Sequence, residues 1–339
     1  MTEKFKQLLE TAKRVLITSH ISPDPDAVSS VLLLGTVIRK NFPDKQIRMV
    51  LEEEPTRDLS FLFGYKDVVF RSLLDAAKEF KPDLFIMVDA MNYGRVSRSD
   101  ADKLSSFLRE SKSKTATLDH HTEVSRDDVD IYINDHLPAT AQQIYKLAFD
   151  DWGLQKPDGY AQTTLLGIIS DTARFKYDNP AHRQTFKIID ELLDNGASIE
   201  ALENRLERYS PEQMLVFSNL AKNVTDSGSD YTYSFIDDGF SQKIKDQTAF
   251  KVACELFTSQ FTRSIGDNLW GFLVYPEELN GKPAYSVSFR SANRVRDVAE
   301  LAGKLGGGGH KRASGAKGIQ ATSVQDAVKK VQTAIEATD

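Results

Sequence analysis

The chain has 339 residues and a mass of 38.0 kDa, too long for one ordinary hydrophobic core, so two domains are expected. Apolar residues at 40% and charged residues at 27% are the balance of a soluble globular protein, and no apolar run approaches the roughly 20 residues of a membrane span. One cysteine, Cys254, excludes an internal disulfide and a thiolate metal cage, and the charged amphipathic start, MTEKFKQLLETAKR, is unlike a signal peptide; a cytoplasmic protein with no membrane partner is expected.

Taken in order, a first helix over about residues 2–13 leads into a buried strand, Val15 to Thr18, that stops at His20. A helix follows from about Asp26 to Lys40, then strands near 46–51 and 67–70, a helix near 73–80, a strand ending at Asp89, a helix near 99–110, and a strand ending at Asp119. Val129 to Asn134 adds a strand, with helices near 139–150 and 159–172. This alternation predicts an α/β fold, with a mostly parallel sheet covered by helices on both faces. Beyond Asp171 the pattern is helical, broken at Asn195-Gly196 and Ser210-Pro211, and reads as a connector over 186–225 between a larger domain, 1–185, and a smaller mixed α/β domain, 226–339. In the last part, strands near 231–236, 269–275 and 284–289 alternate with helices near 249–257, 295–305 and 324–338.

Four apolar segments end in acids or histidines. Val15 to Thr18 runs into His20, Asp24 and Asp26, the two acids set apart by prolines that can continue neither strand nor helix. Asp83 to Val88 ends in Asp89, Thr115 to Leu118 in Asp119-His120-His121, and Leu165 to Ser170 in Asp171. A lone Asp after a strand is usually a helix N-cap, and paired histidines are usually structural, but four such endings in one chain point to a common centre. Candidate ligands are His20, Asp24, Asp26, Asp89, His120 and Asp171; four carboxylates balance two divalent ions better than one. Histidine and carboxylate without thiolate favour manganese first and magnesium as the alternative. Two such ions activate a water and stabilise both oxygens of an in-line displacement at phosphorus, so phosphate ester hydrolysis is the reaction class, with Asp119 supporting the ligands and His121 meeting the phosphate. His136, His182 and His310 have no neighbouring acid motif.

The second motif is Gly306-Gly307-Gly308-Gly309-His310-Lys311-Arg312-Ala313-Ser314-Gly315, preceded by Ser288-Phe289-Arg290-Ser291. Residues 281–318 hold eight basic and two acidic side chains, so this stretch carries +6 within a chain of net −6, compatible with a local anion site. Glycines without side chains let backbone N–H groups approach an anion, and a linker is a weak explanation for a short run that follows an apolar helix. Arg290 and His310 are placed to hold a terminal phosphate or a base. The run lacks the Walker pattern of a nucleoside-triphosphate loop.

Together, HISPDPDA, VDA at 88–90, DHH at 119–121 and SDT around Asp171 resemble the motifs of the DHH phosphoesterase family, and GGGGHKRASGA resembles the signature of the DHH-associated substrate-binding domain. The likeness covers essentially the whole chain, and within the family the chain is most similar to the nanoRNase branch of bifunctional oligoribonucleases and PAP (3′-phosphoadenosine 5′-phosphate) phosphatases. The resemblance implies His20, Asp24 and Asp89 on one manganese ion, and Asp26, Asp89, His120 and Asp171 on the other, with Asp89 bridging. It implies His121 on the scissile phosphate, and Arg290, Gly307, Gly308, Gly309, His310 and Arg312 on the nucleotide, across a cleft between the domains. Implied substrates are short RNA oligonucleotides and PAP, with cyclic-di-AMP or its linear product pApA as the nearest rival, and a homodimer is compatible with the branch. An inorganic pyrophosphatase fits less well because of the glycine-histidine motif. The rival of another class is a nucleic-acid binding module without hydrolysis. Arg174, after SDTA, departs from the pattern as an extra cation that either touches a phosphate or caps a helix.

Overall fold

Five-residue apolar runs set the frame of the first half of the chain. β1 (Arg14–Thr18) and β4 (Leu84–Val88) send Val15, Ile17, Leu84, Ile86 and Val88 to one core and Leu16, Phe85 and Met87 to the other. A strand covered on both faces shows no polar side to water and takes parallel neighbours joined through covering helices. The computed structural model describes every residue except 122–128, 177, 207, 280, 293–294 and 339.

The chain divides into two units, Met1–Glu207 and Arg208–Asp339. Among the described residues of the first, six strands form an all-parallel sheet in the order β3 (Val68–Phe70), β2 (Gln46–Leu51), β1, β4, β5 (Lys114–Leu118), β6 (Ile131–Ile133). One face is covered by α1 (Thr2–Thr11), α2 (Pro25–Asn41), α6 (Thr140–Tyr145, continued by a wider turn of helix to Asp151), α7 (Tyr160–Asp171), α8 (His182–Asp194) and α9 (Ile199–Leu206). The other is covered by α3 (Leu73–Phe80), α4 (Tyr93–Val96) and α5 (Ala101–Glu110). This is the doubly covered parallel sheet that the alternation predicts.

Strand order progresses outward in both directions from the β1–β4 pair, whose register sets Val15 opposite Leu84 and Thr18 opposite Met87. The carboxyl ends of these two strands therefore border the point where the winding reverses, the crevice where open parallel sheets bind ligands. The segments that follow them begin at Ser19 and Asp89.

The second unit carries a mixed sheet in the order β11 (Gly308–His310), β12 (Ala313–Ile319), β10 (Lys282–Ser291), β9 (Trp270–Leu279), β8 (Thr232–Phe235), β7 (Thr225–Asp226). Only the β8–β9 pair among these is parallel. α12 (Val298–Lys304) and α13 (Val324–Glu336) pack on Trp270, Phe272, Val287 and Phe289, while α10 (Pro211–Lys222) and α11 (Gln247–Gln260) pack with Leu273 on the opposite face. Helices α8 and α9 belong to the first core and α10 to the second, so the helical stretch 186–225 is shared out between the units.

The glycine run differs from its sequence reading in one respect, since it enters a hairpin, β11–β12, that periodicity does not reveal. A Cβ on Gly307 would lie 2.1 Å from the Gly315 carbonyl oxygen, and one on Gly309, whose φ is +137°, would lie 2.7 Å from the Ala313 oxygen. Two backbones approach too closely here for side chains, so an apolar alternation has nowhere to appear.

Candidate metal centre

Each predicted donor is held by a short segment at the carboxyl end of a strand or helix. After β1, Asp24 accepts from the Ala27 N–H at 2.9 Å and starts α2, with Pro25 as the first helical residue and Asp26 in the first turn. The loop before it is pinned from the neighbouring loops: Ile21 N–H donates to the Arg95 carbonyl at 2.7 Å, and Ser22 donates from both N–H and Oγ to Glu53 Oε2 at 3.0 and 2.9 Å. Arg98 Nη2 donates to the other Glu53 oxygen at 2.8 Å, which with the Ser22 contacts holds the Glu53 carboxyl below its ordinary pKa. After β4, Asp89 takes a left-handed φ of 56° and donates its N–H to Leu118 at 2.9 Å. Asp119 and His120 follow β5, and Asp171 is the last residue of α7.

These side chains meet. His20, Asp24 and Asp89 each offer a ligand atom within 4.8 Å of the others; so do Asp26, His120 and Asp171, and so do Asp89, His120 and His121. Asp89 divides its carboxylate between the sides, with Oδ2 3.5 Å from His20 Nε2 and Oδ1 3.6 Å from His120 Nε2 and 3.7 Å from His121 Nδ1. His120 Nε2 lies 2.9 Å from Asp171 Oδ2, and His20 Nε2 lies 3.9 Å from Asp24 Oδ1.

The second nitrogen of each ring fixes its orientation. His20 Nδ1 is 2.9 Å from the Ile21 carbonyl and His120 Nδ1 is 3.2 Å from the Leu137 carbonyl. A carbonyl can only accept, so both Nδ1 atoms carry hydrogen and both Nε2 atoms face the carboxylates, the arrangement found behind metal-ligating histidines. His121 differs, donating from Nδ1 to Asp119 Oδ1 at 2.7 Å while its carbonyl accepts from Asn134 Nδ2 at 2.6 Å.

Electrostatically the cluster is short of positive charge. Burial lowers the pKa of His20, but Asp24 and Asp89 outweigh it and raise the value to about 10; burial likewise works against His120, where Asp171, Asp89 and Asp26 prevail and raise it to about 10. Burial followed by the charges of Asp89 and Asp171 raises Asp26 well above the ordinary carboxyl range. Burial opposes ionisation of Asp89 too, yet the three histidines hold its pKa down. The carboxylates crowded around the two rings are what draw protons onto imidazole. Hard and borderline donors, ring nitrogens turned inward and excess carboxylate fit divalent cations.

A close approach of three helices builds the floor. Asp26 accepts from Thr140 N–H at 2.8 Å and from Ala141 N–H at 3.1 Å, and a Cβ on Gly167 of α7 would stand 2.5 Å from both Asp26 Oδ1 and Ala141 Cβ. Gly167 lies one turn before Asp171, so the same helix face makes room for one carboxylate and supplies another. Sequence reading passes over Thr140 and Gly167: a glycine in an apolar helix gives no sign of what approaches it, and Thr140 lies 51 and 114 residues from its two acidic partners. Arg174 does not face the cluster through its described contacts but pairs with Glu203 at 2.7 Å.

The residues read as nucleotide contacts lie in the second unit. Arg290 is on β10, paired in register with Ala313 of β12, and its Nη1 donates to the Phe289 carbonyl at 2.9 Å. It lines a cavity of about 1030 Å³ together with Lys251, Glu255, Tyr275, Ser288 and Lys317. His310 and Arg312 are exposed on the β11–β12 hairpin, where Ser314 Oγ donates to the His310 carbonyl at 2.6 Å. Sequence reading also misses Arg263, whose pKa is lowered first by burial and then by the adjacent charges of Arg290 and Arg312. Three guanidinium groups thus repel one another in one region, a local field suited to an anion.

The parallel sheet, the histidine–carboxylate cluster at its switch point and the comparisons that follow define a metal-dependent phosphoesterase. The chain belongs to the DHH family: residues 14–168 match the DHH family N-terminal domain and residues 229–337 match the DHHA1 domain. It is 28% identical over 332 residues to the probable bifunctional oligoribonuclease and PAP phosphatase NrnA of Streptococcus mutans, covering 95% of this chain and 96% of that protein. It is 27% identical over 304 residues to the bifunctional oligoribonuclease and PAP phosphatase NrnA of Bacillus subtilis, covering 89% and 88%. Among solved structures, an exopolyphosphatase-related protein from Bacteroides fragilis shares the fold with a TM-score of 0.82 at 22% identity, covering 99% of this chain and 95% of that one.

Two predictions follow from this geometry. His20 and His120, protonated at pH 7 in the bare cluster, give up their protons to coordinate a cation, so manganese binding at pH 7 releases on the order of two protons and weakens as pH falls. Calorimetric titration in buffers of different ionisation enthalpy reads this directly, and equal heats in all buffers would remove both rings from the ligand set. Gly167→Ala forces a methyl against the Asp26 carboxylate and should cost about 1–3 kcal/mol in urea unfolding while weakening manganese binding.

Proposed function

We propose that the protein is a manganese-dependent phosphodiesterase that trims short RNA oligonucleotides to mononucleotides and also releases phosphate from PAP, acting in the cytoplasm. The observation that carries the phosphodiesterase reading is the sharing of Asp89 between histidines on its two sides, which suits one carboxylate bridging two cations. The substrate class is supported by relatives of that name, which are similar over nearly their whole length.

In this reading His20, Asp24 and Asp89 hold one cation, and Asp26, Asp89, His120 and Asp171 hold the other. Bound there, a divalent pair neutralises phosphoryl oxygens and lowers the pKa of water. Asp119 keeps a proton on His121 Nδ1 and raises the pKa of the ring, so that the imidazolium form can donate from Nε2 to a phosphate oxygen. In the second unit Arg290, His310, Arg312 and the backbone N–H groups of Gly308 and Gly309 bind the nucleotide, with a guanidinium suited to bidentate contact with a terminal phosphate, while the Gly307 N–H is taken by the Ala302 carbonyl at 2.8 Å and holds the run in place. A pocket that grips one end of a nucleotide chain gains nothing from length, which favours short substrates.

With manganese present, a dinucleotide RNA, five-mer RNA, PAP, pApA and cyclic-di-AMP should be turned over with the RNAs and PAP foremost. Hydrolysis of the cyclic compound alone would replace this substrate assignment by the cyclic-dinucleotide one. Loss of hydrolysis in Asp89→Ala with retained RNA binding separates an enzyme from a binding module, for which neither protein would hydrolyse. Gly308 offers a finer test, because a Cβ there meets nothing within 4 Å and the fold makes no demand for glycine. Gly308→Ala should keep the wild-type melting temperature and raise KM several-fold; an unchanged KM would take that N–H out of the substrate site.

A further inference from the structure

Thr140 opens α6, has no exposed surface, and touches both carboxylates on which the centre turns. Its N–H donates to Asp26 Oδ2 at 2.8 Å and its Oγ1 donates to Asp89 Oδ1 at 3.0 Å. The Asp89 oxygen it meets is the one that also faces His120 and His121, while the other faces His20. Asp26 is likewise engaged through both oxygens, since Ala141 N–H reaches Oδ1 at 3.1 Å.

We infer that Thr140 is a positioning residue for the metal centre, fixing the rotation of the Asp89 carboxylate relative to Asp26 so that each oxygen of Asp89 is presented to its own side. The inference rests on the ligand roles proposed above. A carboxylate at the end of a strand turns about its terminal bond at little cost, since that torsion is broad. If Asp89 turned, one oxygen would move toward both sides or neither. The Thr140 hydroxyl removes that freedom at the oxygen nearest two histidines, and β-branching limits the χ1 states of Thr140, so the donor is itself held still. The backbone N–H of the same residue ties the arrangement to Asp26, so the spacing between the two carboxylates passes through a single residue. Asp89 holds a left-handed φ of 56°, a conformation that persists only where surrounding contacts enforce it, and Thr140 is one of those contacts.

The test uses the full chain and free manganese. Thr140→Val keeps shape and backbone N–H and removes the hydroxyl donor; Thr140→Ser keeps the donor. Manganese affinity, read from the electron paramagnetic resonance signal of the unbound ion, should fall about 10- to 100-fold in Thr140→Val, the range for losing an outer contact to a ligand. It should stay within about threefold of wild type in Thr140→Ser. At fixed, subsaturating manganese, kcat on a dinucleotide should fall in Thr140→Val with KM little changed. Wild-type affinity in Thr140→Val, or equal weakening in Thr140→Ser, would overturn the inference, the second by assigning the residue to packing alone. If circular dichroism shows Thr140→Val unfolded, Thr140→Ala against Thr140→Ser decides by the same titration: weaker binding in Ala supports the role and equal binding removes it. A wild-type protein that binds no manganese would overturn the proposed centre itself, a result distinct from any difference among variants.

Discussion

Buried negative charge is the constraint that organises the first unit. Asp26 and Asp119 have no exposed surface and Asp89 has 2%, in a site that also holds Asp171. Unit charges about 4 Å apart interact by on the order of 4 kcal/mol at an effective dielectric constant of about 20, so carboxylates gathered in this way must find cations, protons or donors. The chain itself supplies two of these kinds of relief in part, protons and donors. Histidines with raised pKa provide charge, and the N–H groups of Thr140 and Ala141 provide hydrogen bonds to Asp26. What remains is a site whose carboxylates exceed the donors around them, and divalent cations are the partners that meet such a surplus most completely.

The scaffold tolerates this crowding because it is rigid where the donors attach. β1 and β4 are central strands buried on both faces, so the loops that leave their carboxyl ends start from fixed points. Backbone strain collects just beyond β1, β4 and α7: Ser22, Asp89, and Ala173 to Phe175 all have positive φ, and each lies within four residues of a proposed ligand. Such conformations cost about 1–3 kcal/mol each and survive only where neighbours over-determine them. Here the neighbours are identifiable as Glu53 on Ser22, Leu118 on the Asp89 N–H, and Glu203 on Arg174.

The sheet was legible in the sequence because fully buried strands leave uninterrupted apolar runs, and the donors were legible because each run ended in one. What the sequence concealed shares one physical character. Thr140 and Gly167 act through space on Asp26 and Asp89, and neither breaks the local pattern of its own helix. Arg263 lies 27 residues before Arg290, and only the sheet of the second unit reveals that they are neighbours. The β11–β12 hairpin was hidden for the opposite reason, since glycines that permit close backbone pairing erase the alternation by which a strand is recognised.

Asp24 shows why capping and ligation are poor alternatives at such a site. Its Oδ1 accepts from Ala27 N–H at 2.9 Å, which makes it an N-cap by any criterion, and the same carboxylate lies 3.9 Å from His20 Nε2. A carboxylate has about four lone-pair directions on two oxygens, so one contact with a helix leaves the rest free. The capping bond moreover fixes the direction in which the free lone pairs point, as the N–H groups of Thr140 and Ala141 do for Asp26. Local structure is thus the means by which a flexible acid becomes a directional ligand, and a residue with a complete structural explanation is not thereby removed from the chemistry.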